Sequence, residues 1–181
     1  MACGLRGEEL AVIGVNTVNP LDWQRGWISR RAIMRACAVL GGNDGRARIV
    51  VAHHPFAHLP EERKTLMRGA EAAIAALARC GADIILCGHL HAWRAAPSGA
   101  GRARSPAVLL VQAGTGLSTR VRGEDNDFNL LRIRPGEVAI ERFATMQGRA
   151  DFCQVGNARF LREPAGWRLA ATQGSCPAGG A

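Results

Sequence analysis

Two short apolar runs, RIVVA at 48–52 and DIILC at 83–87, constrain most strongly what this chain folds into. Each is bounded by polar or turn-forming residues and is too short for a stable helix, so each reads as a strand buried on both faces. Between them, 61–80 carries Leu66, Ala70, Ile74 and Leu77 as one apolar stripe, the spacing of an amphipathic helix that Gly81 closes. A crossover of that length makes the two strands parallel neighbours in one sheet.

The flanks extend this unit. LAVIGV at 10–15 reads as a further buried strand. A helix is expected from about Ser29, with Ile33, Met34, Cys37 and Leu40 on its apolar side and Gly41-Gly42 ending it. Beyond residue 91 the character changes: 107–112 reads as a strand and 113–119 (AGTGLST) as a glycine-bearing loop. Residues 127–134 should pair with 137–143 through a Pro135-Gly136 turn. The expected fold class is α/β, a parallel strand-helix-strand unit followed by antiparallel strands. It forms one domain over 1–172, with 173–181 as a disordered tail because Gly, Ser, Pro and Ala dominate there.

A hydrophobic content of 48% over 181 residues suits a globular domain. The net charge is +8, with a single Lys (Lys64) among 23 basic residues. The arginines are scattered rather than blocked, so a basic nucleic-acid-binding module is favoured by charge alone. The six cysteines are dispersed without a C-x-x-C pair, and the N-terminus lacks a charged segment followed by a long apolar one. The expectation is a reduced, cytoplasmic protein. No apolar run approaches the ~20 residues that span a bilayer, so no membrane partner is expected.

All five histidines lie between positions 53 and 91. His53 and His89 follow the two parallel strands at their carboxyl ends, where open α/β sheets bind ligands. Neighbouring strands run ~4.8 Å apart, so the two side chains should converge. His91 would join from the same loop, with Gly88 letting the backbone turn. Neutral imidazole is a common ligand of divalent cations, which makes His53, His89 and His91 candidate metal ligands. His58 reads as a loop residue and Cys87 as a small buried strand residue. The four tryptophans read as core, and Asp125, Asn126 and Asp127 as turn chemistry.

VAHHP at 51–55 followed by CGHLH at 87–91 resembles the two late motifs of the calcineurin-like metallophosphoesterases. GVNTVNP, the helix start GWIS and QAGTGLSTRVRGEDNDFNLLRI are similar to the family's flanking segments, so the resemblance covers most of residues 10–145. It implies an αββα sandwich and hydrolysis of phosphomonoesters or phosphodiesters by a dinuclear centre of Mn, Fe or Zn that activates a bridging hydroxide. By position, it makes His53 and His89 ligands of one metal and His91 a ligand of the other. His54 would line the substrate pocket, and Arg120, beyond the glycine loop, would contact the phosphate.

The family's Asp-x-His, Gly-Asp-x-x-Asp and Gly-Asn-His segments have no counterpart here. The chain therefore resembles the C-terminal half of such a domain, a partial sandwich. A full dinuclear site is not expected from it alone, and one partly occupied cation is the most anticipated, with weak or no activity. The alternative is a non-catalytic fragment or complementing subunit that needs another chain. Loss of a partner sheet would bare an apolar face, so self-association or a partner supplying the missing half is expected.

Overall fold

The structure is a computed structural model that describes residues 2–20, 25–42, 45–58, 66–98, 107–117, 125–146 and 151–174; these form ten strands and two helices. The first sheet contains β1 (Ala2–Arg6), β2 (Leu10–Val15), β3 (Ala47–Ala52), β4 (Ile84–Cys87), β5 (Arg94–Pro97) and β6 (Leu109–Gln112), in the order β1-β2-β3-β4-β6-β5. Its four central strands are parallel, while β1 and β5 pair antiparallel at the two edges. The second sheet is an antiparallel meander of β7 (Asp127–Arg134), β8 (Glu137–Thr145), β9 (Phe152–Glu163) and β10 (Gly166–Gly174). The fold class is the expected α/β.

Alternation along the central strands explains why they read as continuous apolar runs. On β3 and β4, Val50 and Ile85 face a helix layer, where they meet Ala36, Leu40, Ala73 and Leu77. Their neighbours Ile49 and Ile84 face the other way, onto Val138, Ile140, Ala158, Phe160 and Trp167 of the second sheet. Both faces are thus apolar because both are covered. This corrects the expected bare face: β7–β10 supply the covering sheet from within the chain. Among the described residues the layers run helix, sheet, sheet, with no helix on the outer side of β7–β10.

Helix α1 (Arg30–Leu40) begins where expected, capped by Ser29, whose hydroxyl accepts from the Ala32 N–H at 3.2 Å. Its buried side is Ala36 and Leu40; Met34, expected inside, is 63% exposed. Helix α2 (Ala70–Arg79) is shorter than 61–80. Gly69 caps it with φ +83°, and Arg68 instead bridges to Trp27, so residues 66–69 are not helical; 59–65 lie outside the described residues. Trp27 is half exposed rather than core. Gln173 and Gly174, expected in the tail, complete β10, and 175–181 lie outside the described residues.

Cys37 of α1 and Cys80 at the end of α2 form a disulfide, which corrects the expectation of reduced cysteines at these two positions. They lie 43 residues apart and meet only because the two helices pack side by side, so spacing carried no signal. Cys87 and Cys153 are thiols. Among the described residues no helix is long and apolar enough to cross a membrane.

The bridge closes a long loop, and its removal should cost about 2–4 kcal/mol of folding stability. Denaturant unfolding of Cys37→Ala/Cys80→Ala against the oxidised protein measures this. Equal midpoints with and without reductant would mean that the bridge does not form.

Candidate metal centre

His53 follows directly on Ala52 at the end of β3, and His89 is separated from the end of β4 by Gly88 alone. Because β3 and β4 run in parallel, with Val51 opposite Leu86, the two side chains leave the sheet at the same edge. His53 Nε2 and His89 Nδ1 lie 3.0 Å apart. His54 joins them: the ligand atoms of His53, His54 and His89 all fall within 4.8 Å of one another, with ring centroids 4.7–5.0 Å apart. A separation near 3 Å is what two adjacent ligands of a cation with ~2.1 Å metal–nitrogen bonds require. The donor set is all nitrogen, which suits Zn or Fe better than Ca or Mg.

His54 is expected to line a pocket, yet it belongs to this group. It is 1% exposed, and its Nδ1 lies 2.8 Å from Thr17 Oγ1. The same hydroxyl accepts the His54 backbone N–H at 3.2 Å, so Thr17 fixes both the ring and its backbone. Gly26 (φ +69°) lies under the ring, where a Cβ would overlap it. Thr17 and Gly26 fall in segments that flank no histidine in sequence, and only the fold brings them to His54.

His91 lies outside the three-histidine group but close enough for its charge to act on His53. Its Nδ1 is buried and has no hydrogen-bond partner among the described residues. The turn that carries it differs from expectation. Gly88 is not left-handed; the positive φ values belong to His89 (+75°) and His91 (+59°). Side-chain-bearing residues adopt this conformation at a cost of about 1–2 kcal/mol each, so the surroundings must hold it. Gly88 N–H donates to His53 O at 3.1 Å, and Gln112 Nε2 donates to Ala92 O at 2.8 Å, which ties the loop to both neighbouring strands.

Burial lowers the pKa of His53, and the nearby His54 and His91 lower it further, so its ring keeps a lone pair at neutral pH. Burial pushes the Cys87 thiol up to about 11, against a weaker opposing hydrogen bond from the Phe56 backbone. Cys87 is not part of the histidine group and, as expected, is a buried strand residue. His58 lines a small cavity of about 130 Å³ with Arg94, whose guanidinium reaches the His58 carbonyl. A larger cleft of about 640 Å³ lies at the amino ends of β2–β4, the opposite end of the sheet, so cleft size does not locate this centre. Arg120 lies outside the described residues. Asp127, expected in a turn, opens β7 with its carboxylate fully buried and bonded to Arg142 at 2.7 Å.

No family model matches this sequence, and no curated protein sequence matches it either. Among solved structures, the fold is similar to that of "Structure of PhoD", with a TM-score of 0.71 at 9% identity over 97% of this chain and 45% of that one. A weaker likeness links it to a putative 5'-nucleotidase from Staphylococcus aureus in complex with alpha-ketoglutarate, at TM-score 0.43, 12% identity and coverage of 95% of this chain and 28% of that one. Wild-type Vps29 complexed with Zn²⁺ from Entamoeba histolytica follows at TM-score 0.34 and 15% identity, covering 80% of this chain and 97% of that one. The chain thus spans less than half the length of PhoD. At 9% identity, the likeness to PhoD shows a shared fold.

Two measurements check this geometry. Gly26→Ala combines a strained φ with overlap on His54, whereas Gly45→Ala (φ +75°) meets nothing within 4 Å. Urea unfolding should show a loss of about 1 kcal/mol for Gly45→Ala and about 1–3 kcal/mol more for Gly26→Ala; equal losses would remove Gly26 from the His54 site. Peptide mapping after iodoacetamide at pH 8 should find Cys87 unmodified in native protein and modified after denaturation. Rapid native labelling would contradict its burial.

Proposed function

We propose that the chain carries part of a metal-dependent phosphoesterase centre, in which His53, His54 and His89 hold a divalent cation and His91 faces a second one. The observation that supports this most is the 3.0 Å approach of His53 Nε2 to His89 Nδ1, with His54 in the same group, at the carboxyl edge of a parallel sheet. A cation held there would supply Lewis-acid polarisation of a phosphoryl oxygen and a water of lowered pKa. The chain's own part is preparation. Thr17 orients the His54 ring, so that Nε2 is the atom turned to a metal. The low pKa of His53 keeps its lone pair available, and the unpartnered His91 Nδ1 is a donor already desolvated. The substrate class is a phosphate ester, met by the cation site and, in this reading, by Arg120.

A second reading has its own support. The histidine group contains no carboxylate among the described residues, and the chain spans 45% of PhoD. Two cations bridged for hydrolysis need anionic oxygen ligands. In this reading the chain is a complementing piece whose carboxylates come from another polypeptide, or it self-associates. Location follows from the disulfide: a bridge present in protein isolated from its natural source points to an oxidising compartment, and free thiols there to the cytoplasm.

Calorimetric titration with Mn²⁺ or Zn²⁺ is expected to show uptake that weakens at least tenfold in His53→Ala and His89→Ala. Hydrolysis of an aryl phosphodiester by the metal-loaded chain alone is expected to be slow. A folded chain that takes up neither metal would contradict the first reading, and brisk hydrolysis that His89→Ala abolishes would rule out the second.

A further inference from the structure

We infer that Trp93 and Arg142 are positioning residues that clamp the histidine loop from the second sheet. Consequences for metal affinity rest on the metal reading above; the clamp itself rests on contacts among the described residues. The loop from Gly88 to Trp93 places two non-glycine residues, His89 and His91, in the left-handed region. The His91 ring contributes nothing to holding it through Nδ1, which has no partner. The end of β3 and strand β6 secure the loop on one side, through Gly88 N–H to His53 O and Gln112 Nε2 to Ala92 O.

On the other side, Trp93, two residues beyond His91, reaches over to β7 and β8. Its Nε1 donates to Asn129 Oδ1 at 2.6 Å, and the Arg142 guanidinium carbon lies 5.3 Å from the centroid of its ring. Asn129 and Arg142 are direct partners across β7 and β8, so one spot on the sheet grips both the polar edge and the face of the indole. Arg142 is itself fixed by Nε donation to the buried Asp127 Oδ2 at 2.7 Å. Gly114 leaves the room: a Cβ there would overlap the Asp127 carboxylate. Asp127 Oδ1 has no partner among the described residues, so this carboxylate is desolvated for one ion pair. A buried pair of that kind is weak support for stability and fits a role in fixing geometry. The rigid body that aims His89 and His91 thus includes part of the antiparallel sheet, and the residues that do the aiming lie outside both histidine motifs.

The test uses the whole chain and Co²⁺ as probe, with two independent readouts. In metal-free protein, hydrogen exchange of the amides in 88–93 should speed up at least tenfold in Trp93→Leu and Arg142→Gln. In titrations, both variants should bind Co²⁺ tenfold or more weakly with an altered d–d spectrum. Trp93→Phe, which keeps an aromatic ring and loses the N–H, should fall between them and wild type, and Arg142→Lys should recover part of the loss. Arg159→Gln, which breaks an exposed ion pair with Glu137 on the same sheet, should change neither readout. Folded Trp93 and Arg142 variants with wild-type exchange and a wild-type spectrum would overturn the clamp. If Arg142→Gln does not fold, Trp93→Phe decides alone. Absence of Co²⁺ uptake by wild type would sink the metal reading, with the exchange data still deciding the clamp.

Discussion

Parallel pairing of β3 with β4 is the constraint on which the rest of the molecule depends. It places the residues after Ala52 and after Cys87 side by side, and two histidines 36 residues apart in sequence become a pair 3.0 Å apart. Each of the two strands presents one apolar residue to each face in turn, so the pairing is stable only if both faces are covered. The helices α1 and α2 cover one and the strands β7–β10 cover the other. The cores on the two sides are therefore a requirement of the same strands that carry the site, and damage to either would reach the histidines.

Much of this was legible in the sequence. RIVVA and DIILC announced buried parallel strands, Ser29 announced its helix, and Pro135-Gly136 announced a hairpin, because each is a local signal of one period or one turn. The convergence of His53 and His89 followed from those strands alone. What was hidden depended on contacts between distant segments. Gly69 caps α2 well after Glu61, and Arg68 just before it bridges to Trp27, a segment distant in sequence. The bridge of Cys37 to Cys80 exists only once two helices lie side by side. The covering sheet was underestimated because β9 and β10 mix exposed arginines with isolated apolar residues such as Phe160 and Trp167, whose inward alternation shows only in register with β8.

The site divides in the same way. Sequence pointed to His53, His89 and His91; the structure gathers His53, His89 and His54, with His91 adjacent and its Nδ1 unpartnered. The resemblance implies a pocket-lining His54 rather than a ligand; its ring joins the other two because the chain leaves β3 at His53 and strand alternation no longer applies. Trp93 and Arg142 carried no motif, and Thr17 and Gly26 lay in family-like segments without any sign that they meet a histidine. They act through a ring, a gap or a backbone angle, and such support is read from coordinates rather than from spacing.

Anomalous diffraction at the zinc edge from crystals of the Zn²⁺-loaded chain tests the central claim most directly. The account predicts a peak within ligand distance, about 2.1 Å, of both His53 Nε2 and His89 Nδ1, with His54 adjoining. A loaded, folded chain with its zinc elsewhere, or with the two imidazoles still bonded to each other and no peak between them, would contradict it.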